Sequence, residues 1–468
     1  MDAPVHADDV ITLCPARQAR RARLAALLRE AGGGVLVWPT APERVRNSDT
    51  LHPYRADSSF LYLTGFDEPQ AWLILDDHGR STLLCRPRDA EREIWDGYRL
   101  GPDAAPQALG VDEAHAVDEL DAVLAARLAD APQVWLPFGD DDVSHQAGQA
   151  VHRALVAVRA RERSGVRPPA ALRDARPLLD EMRLVKDAQE QDLMRQAGRV
   201  AAAAHVRAMR ACRPGRREYE LEAELLHAFR SAGASGPAYP SIVAAGANAC
   251  VLHYAAGATE LRDGELCLID AGCEWQGYAS DITRTFPVNG RFSAPQRALY
   301  ELVRAAQQAA IEATRPGARR LDAHWAAVRV LTQGLLDLKL LRADTVGSVD
   351  DAIERAAYRR FYMHGTGHWL GLDVHDVGDV LQRDEPPLEQ PDGLGGRVVK
   401  HPSRKLAPGM VLTIEPGLYV RPADDVPEAF HHIGIRIEDD ALVTEDGCEL
   451  LTRGVPVEPQ EIEALMRG

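Results

Sequence analysis

Residues 265–286 read ELCLIDAGCEWQGYASDITRTF and predict two short strands joined by a turn. Apolar residues 266–269 suit a buried strand, residues 275–277 suit the turn, and the residues after Asp281 suit a returning strand. Each strand carries an aspartate, Asp270 or Asp281, where a core strand would hold Val or Ile. A strand pair can place these two residues opposite each other. Two carboxylates held that close repel unless they share a proton or a cation, and a divalent metal is the common solution. The alternative is that both acids lie at strand ends in water.

A second pair of predicted strands repeats this pattern later in the chain. Residues 410–420 (MVLTIEPGLYV) and 433–444 (IGIRIEDDALVT) are apolar runs interrupted by Glu415 and Glu438. One acid in an apolar run can lie at a strand end by chance, but four acids in two matched pairs are not explained in this way. Their formal charge of −4 would be neutralised by two divalent cations, which predicts a two-metal site.

The segment between these strand pairs is rich in histidine. Residues 361–378 read FYMHGTGHWLGLDVHDVG and contain His364, His368 and His375. For each of them a solvated or hydrogen-bonded histidine is the ordinary alternative to a ligand. One imidazole added to four carboxylates makes a hard, oxygen-rich ligand set that suits Mn²⁺ best and is also compatible with Zn²⁺ or Co²⁺. Other histidines could then shuttle protons or hold substrate.

Two further residues are candidates for the same site. His253, in the sequence VLHY, is predicted on a strand preceding the first pair. Arg436 stands two residues before Glu438 and therefore shares its strand face, from which it would orient a carboxylate. A surface role for Arg436 is the alternative.

Composition restricts the class of protein and its partners. The 468 residues exceed one ordinary core, so two domains are expected, and 46% hydrophobic content with mixed charge is typical of a globular protein. A formal net charge of −16 argues against nucleic acid or an anionic membrane as a partner. No secretory signal or membrane span is predicted. Seven scattered cysteines without a C-x-x-C pair predict reduced thiols and a cytoplasmic location.

The chain divides by pattern near residue 175. In residues 1–175 a helix at 16–31 precedes alternating strands and helices, which is typical of an α/β domain. Residues 176–468 instead show long helices followed by a strand pair, twice over, which suggests an internal pseudo-repeat. Strands of the first domain are predicted at 32–39, 60–66, 71–77, 81–87 and 133–139, and the main helices of the second at 188–212, 218–233, 295–314 and 321–340.

Four of these segments resemble the signature segments of the metal-dependent pita-bread peptidases, and most closely the aminopeptidase P branch. They are residues 269–290, 363–378, 413–420 and 434–440, and the likeness extends to 62–75 and 93–106 in the first domain. The resemblance implies an α/β fold with a creatinase-like N-terminal domain over 1–175 and a pita-bread catalytic domain over 176–468. It also implies a homo-oligomer, either a dimer or a tetramer.

The resemblance assigns roles to individual residues. Three of the histidines match residues around the substrate and the proton path, Arg436 matches a supporting arginine, and Trp95 matches an aromatic that closes a neighbouring subunit's pocket. A core tryptophan of its own domain is the alternative for Trp95. The five implied metal ligands are Asp270, Asp281, His368, Glu415 and Glu438, with Asp281 and Glu438 bridging two metals; the three other histidines are His253, His364 and His375.

The implied reaction is hydrolysis of the bond between an N-terminal residue and a following proline. A metal-bridging hydroxide would attack the carbonyl, and Glu415 would carry a proton to the leaving nitrogen. One alternative is a prolidase, which cuts only Xaa-Pro dipeptides. Another is a metal-free binding protein on the same scaffold, against which the five filled ligand positions argue.

Residues 382–405 form a segment that is longer than the family's usual link at this place. Proline, glycine and charge dominate it, which predicts a loop. Because it joins the histidine segment to a ligand strand, we expect it to rim the site. An idle surface insertion is the alternative.

Overall fold

A computed structural model describes residues 6–467 of the chain, with side chains from residue 15 onward. The chain forms two compact units, one ending at Met182 and the other beginning at Arg183. The division falls within the helix Arg176–Leu184, a few residues beyond the change of sequence pattern near 175. Among the described residues, no helix combines the length and apolar character needed to cross a membrane.

The first unit is built on a six-stranded mixed sheet. Its central strand Val35–Pro39 pairs antiparallel with Trp72–Asp76 and parallel with Gln133–Leu136, and its five residues are all buried. A separate two-stranded ribbon pairs Val45–Asn47 with Thr50–Leu51. Across the sheet the order is Glu113–Ala116, Ser81–Cys85, Trp72–Asp76, Val35–Pro39, Gln133–Leu136 and Ala171–Asp174.

Helices fill the connections of the first unit. The predicted strand at residues 60–66 is wrong, because this stretch belongs to the helix Ser58–Thr64. Asp57 caps its first turn through Phe60 N, and Gly65 ends it in the left-handed conformation. An apolar run buried on all sides carries no period that separates helix from strand. The other helices of this unit are His6–Glu30, Ala90–Asp96, Gly101–Leu109, Leu120–Leu128 and Asp142–Arg159.

In the second unit, long helices and several small sheets share one apolar core. The main helices agree with the predicted ones within a few residues, since their apolar periodicity is strong. The helices are Ala188–Ala211, Glu218–Ser231, Ala294–Ala313, Arg320–Asp337, Ala343–Val346, Val349–Glu354 and Pro459–Arg467. The strands are Gly236–Pro237, Ile242–Ala245, Leu266–Asp270, Cys273–Trp275, Tyr278–Ala279, Thr283–Pro287, Leu388–Pro391, Arg397–Lys400, Val411–Ile414, Gly417–Val420, Ile433–Arg436, Asp439–Val443 and Cys448–Leu450.

The predicted pairing within residues 265–286 is present, with a more elaborate connection than a turn. Strand Leu266–Asp270 pairs antiparallel with Thr283–Pro287, which places Asp270 opposite Thr283. The connection contains its own small hairpin, Cys273–Trp275 with Tyr278–Ala279, which belongs to a different sheet. Asp281 lies just before the returning strand and is therefore offset from Asp270.

Each long strand predicted in the second pair is broken in two. Residues 410–420 form Val411–Ile414 and Gly417–Val420, which pair with different partners. Residues 433–444 form Ile433–Arg436 and Asp439–Val443. Pro416 removes a backbone donor at the first break, which ends the ladder there. Glu415 and Glu438 stand at these two breaks, so their side chains are free of the strict alternation of a strand.

The predicted loop at 382–405 contains a regular hairpin. Leu388–Pro391 pairs antiparallel with Arg397–Lys400, and the glycine-rich residues between them form its tip. The prediction of a loop throughout is wrong because the paired strands are short and largely exposed, so they lack the apolar alternation that marks a strand in sequence.

Candidate active site

The two strand pairs of the second unit meet at Thr283 and Glu438. These residues form an isolated antiparallel bridge, and the backbone N–H of Glu438 donates to the Thr283 carbonyl at 3.0 Å. The hydroxyl of Thr283 also donates to Glu438 Oε2 at 2.6 Å. This junction carries Glu438 to the side of Asp281, so acids that are far apart in sequence share one site.

The histidine segment reaches the same place by running beside the Glu415 strand. Glu415 N donates to the Thr366 carbonyl at 2.9 Å, and Thr413 N donates to the His368 carbonyl at 3.0 Å. A Cβ on Gly367 would lie 1.9 Å from the Thr413 carbonyl oxygen, so only glycine permits this approach. The close approach brings the imidazole of His368 next to the Glu415 carboxylate.

Three of the five expected ligands form a compact cluster. The ligand atoms of Asp281, His368 and Glu438 all lie within 4.8 Å of one another. His368 Nε2 lies 3.5 Å from an Asp281 oxygen and 3.8 Å from a Glu415 oxygen. Asp270 faces the same cavity, which has a volume of about 850 Å³. The structure therefore brings all five residues to one cavity.

Burial and mutual repulsion disfavour ionised carboxylates in this cluster. Burial, followed by repulsion from the neighbouring carboxylates, raises the pKa of Glu438 well above its usual range. Burial also raises the pKa of Asp281, and raises that of Glu415 to about 7. Burial by itself opposes protonation of His368, but Asp281 and Glu415 raise its pKa to about 9. The site thus favours added positive charge, and its hard oxygen donors with one imidazole fit divalent metal ions.

His368 is oriented for a ligand role. Its Nδ1 lies 2.9 Å from the carbonyl of Trp369, to which it donates, and this leaves Nε2 facing the carboxylates. A metal-binding imidazole typically has its second nitrogen fixed by such a bond.

Arg436 and His364 are linked through Tyr419. One guanidinium nitrogen of Arg436 donates to Asp270, and another donates to the Tyr419 hydroxyl at 2.9 Å. That hydroxyl lies 2.8 Å from His364 Nε2, and His364 Nδ1 lies 2.7 Å from the Gly365 carbonyl. Burial and the nearby Arg436 lower the pKa of His364 to about 3, so the ring is neutral at physiological pH.

Tyr239 is a site residue that no pattern in the sequence predicts. Its hydroxyl donates to Asp270 at 2.7 Å and also contacts Asp281. Burial and the surrounding carboxylates raise its pKa well above the usual range, so it remains a neutral donor. It lies in an irregular stretch between two short strands, where neither spacing nor periodicity marks it.

The remaining two histidines line the cavity without joining the cluster. The ring centroids of His375 and His368 are 4.3 Å apart, and burial lowers the pKa of His375. His253 lies after the short helical turn Gly246–Cys250 and not on a strand, so the predicted strand location is wrong. The strand Ile242–Ala245 ends at Gly246, whose φ of 53° lies outside the strand region, so the ladder stops before His253.

A buried charge cluster behind His375 holds its segment. Asp376 accepts from Lys186 at 2.9 Å and from Arg183, and both cations are nearly inaccessible to solvent. These contacts lower the pKa of Asp376 against the opposing effect of burial. No pattern in the sequence predicts this cluster, although a basic pair precedes a long helix and an acid follows His375.

Residues 382–405 and Trp95 both lie outside the cavity lining of the described chain. No described residue of 382–405 lines the cavity. Trp95 belongs to the helix Ala90–Asp96, which buries none of its residues, and it is 82% exposed beside Ile94 and Tyr98. The alternative of a core tryptophan in its own domain is therefore wrong.

Comparisons with known proteins agree with this geometry. Residues 192–445 match metallopeptidase family M24, and residues 17–135 match the N-terminal domain of aminopeptidase P. Xaa-Pro aminopeptidase of Escherichia coli is 45% identical over 96% of this chain and 98% of its own length. Xaa-Pro aminopeptidase 3 of Homo sapiens is 33% identical over 95% of this chain and 84% of its own. A zinc-substituted E. coli aminopeptidase P in complex with product superposes with a TM-score of 0.88, at 44% identity, over 97% of this chain and 98% of that one.

The chain belongs to metallopeptidase family M24. Its second unit is the pita-bread domain of that family, and its first unit is an aminopeptidase P N-terminal domain.

Proposed function

We propose that this protein is a dinuclear metal-dependent aminopeptidase that removes an N-terminal residue preceding proline. The observation that carries the proposal is the convergence of Asp270, Asp281, His368, Glu415 and Glu438 on one cavity. The chain's relatives named Xaa-Pro aminopeptidase, matched over nearly their whole length, support the same substrate class.

The five residues would hold two divalent ions, with Mn²⁺ the best match to four carboxylates and one imidazole. When bound, such ions polarise a carbonyl and make water a nucleophile at neutral pH. Asp281 and Glu438, whose carboxylates lie in the compact cluster with the His368 imidazole, would supply ligand oxygens at the centre of this site. Arg436 and Tyr239 hold Asp270 from two sides and fix the direction of its oxygens.

Glu415 is proposed as the proton carrier. Its carboxylate faces the cavity 3.8 Å from His368 Nε2, beside the other ligands, so it is placed to take a proton from the nucleophile and return it to the leaving nitrogen. His364 Nδ1 lies 3.7 Å from a Glu415 oxygen, and its neutral ring is fixed by Tyr419. The nitrogen of the proline bond, like any amide nitrogen, leaves as an amine only if a proton is delivered to it. His253 and His375 are proposed to hold the substrate beside this path.

The cavity favours an aminopeptidase over a prolidase. A prolidase must bind a free carboxylate next to the proline, which calls for a cation free to accept it. Among the described lining residues, Arg436 is the only arginine or lysine, and it is engaged with Asp270 and Tyr419. A longer peptide has no such requirement, because the chain beyond proline continues as a neutral amide.

The experiment that tests the function compares peptides of increasing length. The purified protein is given an Xaa-Pro dipeptide, an Xaa-Pro tripeptide and an Xaa-Pro pentapeptide, with Mn²⁺ and with a chelator. We expect release of the first residue from the two longer peptides, with little turnover of the dipeptide and none with the chelator. An Xaa-Ala pentapeptide is the matched control. Cleavage of the dipeptide alone would identify a prolidase.

We further propose that the protein is a homo-oligomer in which Trp95 of one subunit closes the pocket of another. Its high exposure, in an exposed apolar group with Ile94 and Tyr98, supports this, because large apolar side chains in such a group commonly meet a partner. The free cysteines of the described chain are consistent with a proposed cytoplasmic location.

A further inference from the structure

One wall of the cavity is an irregular segment whose lining residues are only partly covered by the core. The segment 246–257 contributes Leu252, His253, Tyr254 and Ala255 to the cavity lining. After the short helical turn Gly246–Cys250 it has no regular secondary structure, and none of residues 251–260 is fully buried. Ala249 and Cys250 are buried and Ala256 packs against the core, whereas the lining residues 252–255 are not buried, so hydrogen bonds contribute to holding those residues in place.

Four of these hydrogen bonds converge on a single buried carboxylate, that of Glu218. Its side chain is fully inaccessible to solvent, at 0% exposure. Oε1 accepts from Ala245 N at 2.8 Å and from Asn248 Nδ2 at 2.9 Å. Oε2 accepts from the Tyr254 hydroxyl at 2.9 Å and from Gly257 N at 3.0 Å. The four donors come from both flanks of the wall segment and from its interior.

Cross-links among the donors make the arrangement a network. Asn248 Nδ2 also lies 2.9 Å from the Tyr254 hydroxyl and 3.1 Å from Thr259 Oγ1. The backbone of the helix start adds two bonds, from Glu218 N to the Thr259 carbonyl and from Tyr219 N to the Gly257 carbonyl, each 3.1 Å long. Helix Glu218–Ser231 therefore holds the segment through both its side chain and its main chain.

No arginine, lysine or histidine within the described residues forms an ion pair with Glu218. A buried carboxylate without a cation is retained only where hydrogen bonds replace its hydration, and here four neutral donors do so. The helix N-terminus at which it stands adds a favourable dipole. An apolar residue would fill a core position more easily than a carboxylate. The carboxylate of Glu218 is therefore explained by its hydrogen bonds, which fix the four donors in place.

We propose that Glu218 is a positioning residue for substrate binding, which fixes the wall 246–257 and thereby the places of His253 and Tyr254 in the cavity. It does not touch the reacting atoms. The inference rests on the proposed function only for the choice of peptide with which binding is measured.

The test replaces Glu218 by its isosteric amide. In Glu218→Gln one of the two oxygens becomes an NH₂ group, so one pair of donors faces another donor and loses its acceptor. The control is Glu190→Gln. Glu190 is also buried and accepts from the Tyr278 hydroxyl at 2.9 Å and from Asp187 N at 3.0 Å, but it does not line the cavity.

Two readouts separate positioning from general stability. Hydrogen exchange of the metal-free proteins, followed by mass spectrometry, should show lost protection at 246–257 in Glu218→Gln and not in Glu190→Gln. With bound metals at the wild-type level, KM for an Xaa-Pro pentapeptide should rise about tenfold in Glu218→Gln, the loss corresponding to a disrupted hydrogen-bond set, with kcat changed far less. KM should stay unchanged in Glu190→Gln.

Two results would contradict the positioning role of Glu218. Unchanged exchange at 246–257, or lost protection with an unchanged KM, would overturn the inference. If Glu218→Gln does not fold, Tyr254→Phe removes one donor and should give the same pair of changes on a smaller scale. A wild-type protein that leaves Xaa-Pro peptides intact would contradict the proposed function alone, and KM would then be compared on the peptide that it does cleave.

Discussion

His368 is the imidazole that joins the carboxylates of the compact cluster, and its bond to the Trp369 carbonyl fixes which nitrogen faces them. Removing it should therefore disrupt metal binding more than removing a neighbour that only supports a ligand. We expect His368→Ala to lose bound metal and to reduce kcat/KM by more than about 100-fold, since even supporting residues typically contribute 10- to 100-fold. Metal analysis of the purified variant, together with peptide turnover, measures this.

The control for this change is His375→Ala, in the same cavity. Its ring lies beside His368, yet it is outside the compact cluster of ligand atoms. It should keep its metals while losing activity through substrate binding. Two metals and full activity in His368→Ala would contradict the ligand assignment.

His205 supplies a test of stability against pH. It is fully buried against the Ala271 carbonyl, and burial lowers its pKa from 6.5 to about 4. Below pH 6.5 the unfolded chain takes up a proton that the folded protein refuses, so stability is lost as pH falls from 6.5 to 4. The full loss is roughly 3 kcal/mol, taking the difference between these two pKa values. Above pH 6.5 the residue contributes no pH dependence.

His205→Gln removes the titration and retains a donor for Ala271. Unfolding free energies of the metal-free proteins, measured in denaturant between pH 7 and 4, should fall less steeply in this variant than in the wild type. His152→Gln, at an exposed histidine, is the control and should leave the slope unchanged. Equal slopes in His205→Gln and wild type would show that His205 is not buried as a neutral ring.

The sequence revealed the four acids because each is a polar residue in an apolar run, and three of the histidines because they stand close together in one segment. Tyr239 and Glu218 could not be recognised in this way. An aromatic residue in an irregular stretch looks like ordinary packing, and a glutamate at a helix start looks like a favourable helix-end charge. Their roles depend on partners far away in sequence, such as Asp281 for Tyr239, and only the folded chain brings these together.

At the level of elements, long periodic helices were predictable and short apolar segments were not. The helix Ala294–Ala313 has a serine cap and a clear apolar face, so local sequence decides it. The helix Ser58–Thr64 has local caps in Asp57 and Gly65, but its short apolar run shows no helical period. The strand breaks at Glu415 and Glu438 are likewise not marked by the apolar pattern. The breaks matter for function, because an acid inside a continuous ladder would have to point to a fixed face.

The hairpin Leu388–Lys400 provides a prediction at the same scale. Its strands are mostly exposed, and none of its residues lines the cavity. Replacing residues 388–400 by a short Gly-Ser link should change the unfolding free energy by less than about 1 kcal/mol, because little apolar area is removed and loop closure depends weakly on length. Metal content should be unchanged.

Kinetics of the shortened protein decide the role of the hairpin. If residues 382–405 rim the site, KM should change for a long Xaa-Pro peptide and stay constant for a tripeptide, because only the long peptide extends past the mouth. Equal changes or no change for the two peptides would identify an idle insertion.

At the scale of the whole molecule, the first unit lacks the residues of the metal cluster and must contribute something else. Its sheet carries no part of the metal cluster, while its helix Ala90–Asp96 presents Trp95 and Ile94 to solvent. An exposed apolar pair on an entirely unburied helix is costly for a monomer and ordinary at an interface. The proposed oligomer makes this helix the wall of another subunit's pocket.

Mixed subunits test this proposal directly. Trp95→Ala should raise KM for short Xaa-Pro peptides without loss of metal, while Phe138→Ala, at another exposed aromatic residue of the first unit, should not. Asp281→Ala should be inactive because it lacks a ligand. Mixed oligomers of Trp95→Ala and Asp281→Ala should recover activity with a normal KM, since a metal-loaded subunit then meets an intact tryptophan from its neighbour. Verified mixed oligomers without recovery would mean that Trp95 does not complete a neighbour's site, because each active cavity would still lack its wall.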